Sequence, residues 1–535
     1  MNISPRKIIA SIILSLLLIS SCHRKSDHEK KDYGDWVYFG VYDKLTGIDP
    51  LKDVSTLSSI LSDVIFNGLV GIDENGEIVP DLAKGWEWSE DKKSINFYLK
   101  EGIKFHDGFV SDASDVDFTF RQILAPSYSG SGNYDLTMVE NVKVLDNQTI
   151  SFGLKGISNL FLFNSIIQIL PRHIFENDIG GRERFLWNPI GTGPFKVVRL
   201  SGSEAVLEAN RDYFKGRPFL DGIVVKSYKN QDEVWARLLT EEVDFCFPLS
   251  PGQVDFMKNN TNIKIYSYLS PYYYLLAFNG KNPLFQSRKV RVALNQAIDR
   301  DEIIEKILNN HGRLCSGTVY PYSWAFDPEL KPYSYDPATA LKMIMEEGWI
   351  RDKNGILKKN GKPFEFTVLI ISGENQSENL VLSIEKYLAE IGIKIKIQPV
   401  TMGELNRKYL FSKKFEAALL SFDSGIHPGY LNYRIWHSSQ IQKGLNVFSY
   451  QNAEVDEDLE HVLRVGDRIE EKKYYYKFQR EIFDDPPGVF LFWKEEMVPI
   501  HKRFRGIKAG PEKLFVSIPE WWVPKNEQKY KIGPN

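Results

Sequence analysis

Residues 380–391 carry a helical apolar stripe, Gly392 follows, and residues 393–397 read Ile-Lys-Ile-Lys-Ile, an alternation of period two. Helix, glycine, then alternating strand is one unit of an α/β layer, in which the glycine ends the helix and the strand turns one face to the core. The same alternation recurs from about Val37 onward. Residues 58–69 place Leu61, Val64, Ile65 and Phe66 at helical spacing, with Gly68 near the end. Residues 94–99 alternate as a strand, and Ile103-Lys104-Phe105 begins another. Residues 111–124 read as a helix with Ser111 as N-cap and Ser114 as the competing choice. Residues 273–278 read as a strand, and 289–309 contain a helix with Val290, Ala293, Leu294 and Ala297 on one face. There is no repeat of fixed period and no low-complexity tract. The pattern predicts α/β domains with mixed sheets, and 535 residues leave room for roughly two to four structural units.

Charge and cysteine content narrow the function. The 67 basic and 70 acidic side chains nearly cancel, which argues against a nucleic-acid binder, whose footprint is a basic excess. Three cysteines cannot build a disulfide scaffold; Cys246 and Cys315 read as buried free thiols, with pairing in an oxidising compartment as the alternative. Aromatic residues make up 13% of the chain, which suits a protein that covers organic ligands with flat side chains.

The first residues indicate export. Arg6 and Lys7 precede an apolar run from Ile8 to Ile19, too short to span a bilayer comfortably, and Ser20-Ser21-Cys22 follows. Ile19-Ser20-Ser21-Cys22 resembles a bacterial lipobox, in which the signal 1–21 is removed and Cys22 is lipidated. A polar tether, residues 22–31, follows. No later segment approaches an uncharged transmembrane length, so the reading is an exported, lipid-anchored protein working in water.

Enzyme chemistry is hard to find. There is no G-x-S-x-G elbow, no Walker loop and no H-E-x-x-H. Gly191-Thr192-Gly193-Pro194-Phe195 has the wrong spacing for a phosphate loop, and Pro194 removes a donor there; a tight turn into the strand 195–199 is the better reading. The nine histidines form no close cluster with metal spacing. His106 reads as a structural hydrogen-bonding residue in a turn. No catalytic residue, cofactor or metal is assigned.

A family resemblance then organises these pieces. Leu82-Ala83-Lys84-Gly85-Trp86-Glu87-Trp88-Ser89, continuing through Phe97 to Phe105-His106-Asp107-Gly108, closely resembles the signature of family 5 extracellular solute-binding proteins, the peptide- and nickel-type receptors of ABC importers. Asp115-Val116 with Phe118-Thr119-Phe120, the Gly191–Phe195 turn, Val290-Arg291 through Asp299-Arg300, Tyr335-Asp336-Pro337 through Gly348-Trp349, and Ala389-Glu390-Ile391-Gly392-Ile393 resemble later landmarks in the same order. The resemblance implies a bilobal fold of the type II periplasmic-binding class that swallows its ligand between lobes. It places a first lobe at 32–277 plus 490–535, with an extra subdomain near 66–189, and a second lobe at 280–489. Two hinge strands would cross near 276–278 and 489–491.

The same resemblance nominates site residues. Peptide-binding members anchor the ligand ammonium with an aspartate after a second-lobe strand; residues 415–423 match that strand, and Asp423 that acid. A turn or helix cap ahead of Gly425 is the plain alternative for Asp423. Backbone groups around Leu419, Leu420 and Ser421 would pair with an extended peptide as an added strand. Tyr272 and Tyr274 would face the cleft and Tyr273 the other way, because side chains alternate along a strand. Val41 and Tyr42 are the first lobe's candidates, and Arg407 and Lys408 lie roughly where oligopeptide-type members keep a cation for the ligand carboxylate, with solvated helix charges as the plain alternative. Three departures stand out. Leu420 replaces a frequent tryptophan, the Asp423-to-Pro428 spacing is one residue long, and the loop 372–376 lacks the arginine of dipeptide-type members.

The leading expectation is therefore a monomeric, lipid-anchored oligopeptide receptor that delivers its ligand to an ABC permease. A receptor for a nickel chelate, with His427 as the nearby histidine, a sugar or another small solute is the alternative within the family. A sensory or adhesive surface lipoprotein is the alternative outside transport.

Overall fold

The structure, a computed structural model, describes residues 31–535 except 53–54, 74–76, 126–127, 129–135, 137, 157–159, 177–180, 247–250, 258–259, 427, 466, 512, 532 and 535. The signal segment, Cys22, the tether up to residue 30 and His427 lie outside the described residues.

Two long strands, rich in aromatic and β-branched residues, organise the chain. Ile263–Phe278 and Gly488–His501 pair antiparallel along nearly their whole length. The register shifts most sharply in the middle: Leu269 faces Glu495 but Tyr273 faces Trp493, so Ser270, Pro271 and Tyr272 oppose Lys494 alone. This is a bulge, and Pro271, having no N–H, forfeits no ladder bond there. The bulge is tied down from one side. The Tyr320 hydroxyl donates to the Leu269 carbonyl at 2.5 Å, and its N–H donates to Ser424 Oγ at 3.0 Å. The Ser424 N–H in turn donates to the Pro271 carbonyl at 3.0 Å.

The ribbon has different neighbours on either side of the bulge. Past residue 494 the second long strand meets Phe245–Cys246, and the sheet continues through Trp36–Val41, Gly222–Ser227, Glu204–Ala209 and Phe195–Leu200. On the other side, residues 272–278 pair antiparallel with Ala417–Asp423, followed by Glu365–Ile371 and Lys394–Val400, and these last three strands run parallel. The sheet is mixed, as the alternation predicted.

Apolar packing follows the same division. One core joins the first strand group to a four-stranded sheet, Ala83–Trp88, Ser94–Leu99, Thr149–Leu154 and Val139–Asp146, and to the helix Ala113–Leu124. Two further cores cover opposite faces of the second group. Leu276, Phe278 and Leu419 enter one; Tyr273, Leu275, Ala277 and Leu420 enter the other. Residues 273–278 and 489–493 thus pack with the second group, and the ribbon changes partners at 270–272 and 494–495.

Local sequence explains most elements and corrects some expectations. The helix Asn375–Glu390 ends before Gly392, which takes a φ of +88° that a Cβ would strain. The stretch 289–309 makes two helices, Arg288–Gln296 and Arg300–Leu308, because the Asp299 carboxylate accepts the Glu302 N–H at 2.9 Å and starts the second. The cap of Ala113–Leu124 is Asp112, not Ser111 or Ser114: its carboxylate accepts the Ser114 N–H, while Asp115 reaches back to the Asp112 N–H. Residues 103–105 form no strand, only a bridge from Lys104 to Val110 across a short turn. Cys246 and Cys315 are buried and free.

The Gly191–Phe195 segment is a turn pressed onto the backbone of Ile65; a Cβ at Gly191 or Gly193 would lie 2.0 or 2.4 Å from Ile65 backbone atoms. His106 locks it. The Gly191 N–H donates to Nδ1 at 3.2 Å, and Nε2–H donates to the Gly193 carbonyl at 3.1 Å, so the ring works neutral. Burial lowers its pKa from 6.5 to about 4.

A second buried polar device joins the chain's ends. Arg503, almost fully buried, pairs with Asp35 ahead of the first strand and with Asp244 at 2.6 Å, and donates to the Trp36 carbonyl at 3.0 Å. Asp35 also accepts the Lys529 and Tyr530 N–H groups, which fixes the C-terminal tail.

Replacing Arg503 with Met strands two buried carboxylates, and we expect a loss of ~3–5 kcal/mol in urea denaturation; a loss under ~1 kcal/mol contradicts the assignment. For His106, the unfolded state binds the proton more tightly between pH 6.5 and about 4, so its contribution is present above pH 6.5 and lost on acidification. The stability gap between wild type and His106→Gln should therefore narrow from pH 7.5 to pH 4.5, and a pH-independent gap would refute the neutral-ring clamp.

Candidate functional site

Three parallel strands, Glu365–Ile371, Lys394–Val400 and Ala417–Asp423, end at one edge of the second strand group. Carboxyl ends of parallel strands are where loops diverge and leave room for a ligand. Three candidate segments follow from those ends: the loop 372–376, the segment from Thr401 to Leu410, and Asp423 itself.

Register decides what faces the opening. Tyr272 lies opposite Asp423 and Tyr274 opposite Ser421, so these four side chains share one face. Tyr273 turns the other way into the core, as the alternation predicted. Tyr272 is half-exposed, and Tyr274 stacks on Phe492 with ring centroids 4.8 Å apart.

Asp423 is the chemically unbalanced group. Burial pushes its carboxyl above the usual carboxylate range, offset only partly by the Gly425 N–H, which donates at 2.8 Å, and by the Tyr272 phenol. Among the described residues no lysine, arginine or histidine pairs with it. The Gly425 contact is the local turn that was its plain alternative reading; it uses one oxygen and supplies no countercharge. In return, burial and then Asp423 push the Tyr272 phenol up to about 12.

Backbone pairing leaves a second opening beside it. Glu365–Ile371 pairs with Ala417–Asp423 only at Ala417 and Ala418. From Leu419 onward that edge of the strand carries no partner strand among the described residues, while the other edge is occupied by residues 272–276.

The other sequence candidates divide. Tyr42 is half-exposed at the end of Trp36–Val41; burial, then Asp43, then Glu374 raise its phenol pKa. Glu374 follows Glu365–Ile371, so Tyr42 approaches the strand-end edge from the first strand group. The Val41 side chain is buried in the first core. Leu419 and Leu420 are buried on opposite faces of the sheet, so only their backbone groups are available. Arg407 and Lys408 are exposed on Leu405–Leu410; Lys408 lies over the Tyr409 ring at 5.1 Å, and Arg407 folds back on Gly403.

Two acids escaped the sequence reading. Glu374 accepts the Ser377 hydroxyl at 2.9 Å and acts electrostatically on both Tyr42 and Tyr274. Glu496 lies 3.4 Å from Lys494, and burial raises its carboxyl pKa. Extending the alternation of Tyr272 and Tyr274 onto the paired strand was the available signal for Glu496. A cavity of about 590 Å³ opens elsewhere, between Phe278, Arg291, Tyr450 and Glu481, remote from Asp423. Among the described residues no group of three His, Cys, Asp or Glu is placed to hold a metal ion, and no helix is long and apolar enough to cross a membrane.

Known proteins share this architecture. The family described as bacterial extracellular solute-binding proteins, family 5 Middle, matches residues 77–443. The chain is 30% identical over 518 residues to the oligopeptide-binding protein AppA of Bacillus subtilis strain 168, covering 95% of this chain and 94% of that protein. The solved structure of the Bacillus subtilis AppA in complex with a nonapeptide is similar with a TM-score of 0.78 and 29% identity, over 93% of this chain and 100% of that one. NikZ from Campylobacter jejuni in complex with Ni(L-His) is similar with a TM-score of 0.79 and 27% identity, over 91% of this chain and 99% of that one.

An uncompensated buried carboxylate costs stability while it is charged. With a raised folded pKa, that cost is absent below the unfolded pKa and grows as pH rises through the folded value. Asp423→Asn should therefore raise the melting temperature of the ligand-free protein at pH 7, and the gain should vanish near pH 3.5. A lower melting temperature at pH 7 would show that Asp423 is a structural turn residue.

Proposed function

The chain belongs to the bacterial extracellular solute-binding proteins of family 5, and on that premise we propose that it captures oligopeptides with a free amino terminus and delivers them to an ABC permease. Its fold is the type II periplasmic-binding class of its structural relatives. The two strand groups act as lobes. The hinge is the ribbon at 270–272 and 494–495, where packing changes partners, rather than at 276–278 and 489–491. Signal removal and lipidation of Cys22 would hold a monomer at a membrane surface, with the polar tether letting it reach its permease.

Asp423 is the observation that carries this reading. A partly desolvated carboxylate with no cation among the described residues is suited to an ammonium, and the charge-assisted contact strengthens as closure excludes water. The open edge from Leu419 to Ser421 lies beside it and offers backbone donors and acceptors to an extended chain, so recognition is largely independent of peptide sequence. Tyr272, Tyr274 and Tyr42 would supply flat apolar surface, and the exposed Arg407 or Lys408 would be the cation for the far carboxylate. The role is binding: closure is driven by the ligand's preference for the closed lobes.

Asp423→Ala should weaken binding of free-amino peptides by ~30- to 100-fold in calorimetry and leave N-acetylated peptides almost unaffected; equal losses would remove the anchor. Because the Asp423 pKa is raised, affinity for free-amino peptides should also fall on acidification earlier than for an ordinary carboxylate. Ligand released from natively purified protein should be a mixture of peptides of similar length by mass spectrometry. A single non-peptide species or a metal chelate would replace the peptide reading.

A further inference from the structure

Glu77 and Arg468 meet from opposite bodies of the molecule. Glu77 leads into Ile78–Pro80, whose Ile78 packs on the first core. Arg468 opens the helix Arg468–Asp484, whose Tyr475, Phe478 and Ile482 lie in a core of the second group. Their side chains form an ion pair across that gap, each a little under half exposed. The helices Gly429–Trp436 and Leu160–Asn164, one from each body, touch as well.

Arg468 has little local reason to be there. A cation in the first turn of a helix opposes the helix dipole. Glu471, about one turn on, is buried with its pKa raised to about 7, and so compensates Arg468 only in part near neutrality. The guanidinium lies over the Trp324 ring at 4.4 Å while it pairs with Glu77. Glu77 in turn has no need of Arg468 for its own lobe's packing.

We infer that Glu77 and Arg468 form a latch made only when the lobes are closed, so that both residues set how long a ligand stays without touching it. This rests on the proposed ligand capture between lobes. They are positioning residues acting through the hinge. The pair is half-exposed and screened by salt, so its effect is modest and confined to the closed state.

The test uses full-length mature protein and a free-amino nonapeptide of mixed Ala, Gly and Phe. Glu77→Gln leaves the Arg468–Trp324 stack intact and should speed peptide dissociation about two- to fivefold at low salt, with less effect on association. Arg468→Gln should do the same, and the double variant should add nothing further. The melting temperature of ligand-free Glu77→Gln should match wild type. Spin labels at Lys92→Cys and Lys473→Cys read closure without any ligand, and buried Cys246 and Cys315 stay unlabelled. Loss of the pair should shift the label distances toward the longer population. Unchanged dissociation together with unchanged distances, or fully additive single-variant effects, would overturn the latch. Failure of the nonapeptide to bind would overturn the peptide reading instead, and the label distances would still decide the latch.

Discussion

Everything in this molecule hangs on one antiparallel ribbon. Ile263–Phe278 and Gly488–His501 are each long enough to belong to two strand groups, and the groups share these two strands. Backbone hydrogen bonds keep such a ribbon stiff in its plane, so bending concentrates where the ladder is already interrupted. The bulge at Ser270, Pro271 and Tyr272 is that place: three residues face one, and the proline has no N–H to lose. Tyr320 and Ser424 clamp the bulge from the second group. On the proposed hinge, motion would leave Tyr274 and Asp423 fixed relative to each other and carry the first group past them.

Two sets of buried carboxylates show how differently one chain treats the same chemistry. Asp35 and Asp244 are closed off around Arg503, which spends its donors on both and on the Trp36 carbonyl. Breaking that arrangement leaves charge without a partner, so it is held for structure. Asp423 is more exposed than those two, and among the described residues it has one backbone donor, a neighbouring phenol and no cation. A folded protein keeps such a group either protonated or where something else supplies the missing charge. On the proposed function, stability given up at Asp423 in the empty protein would make the site selective for a positively charged group when it fills.

Much of the architecture was legible because it rests on short-range rules. The helix Asn375–Glu390, Gly392 and the strand Lys394–Val400 follow from periodicity and one left-handed residue. The Gly191–Phe195 turn was readable as a turn, though not the Ile65 backbone beneath it or the His106 ring locking it. The misses have the same origin. The break between Arg288–Gln296 and Arg300–Leu308 depends on a single cap at Asp299, which periodicity of the apolar face does not register. Tyr272, Tyr274, Ser421 and Asp423 could be brought together by alternation and the family pattern; that they share a face depends on the pairing register. Leu419 and Leu420 send their side chains into opposite cores, which leaves for a ligand the backbone groups that the sequence reading assigned to it. Glu374 was invisible as a site residue because its neighbours, Tyr42 and Tyr274, are far away in sequence.

Closure also sets a bound on how strong any contact between the lobes can be. A ligand moves an open–closed equilibrium only by its differential affinity, and swinging a population from mostly open to mostly closed takes ~5 kcal/mol. Contacts between the empty lobes draw on the same balance. A buried, desolvated ion pair across the cleft would close the protein without cargo and spoil the difference that a permease has to read. A half-exposed pair such as Glu77–Arg468 is worth well under that amount. On the proposed reading it would bias the closed state without securing it, and the decisive contribution would come from Asp423 and from the edge of Ala417–Asp423 that has no partner strand among the described residues.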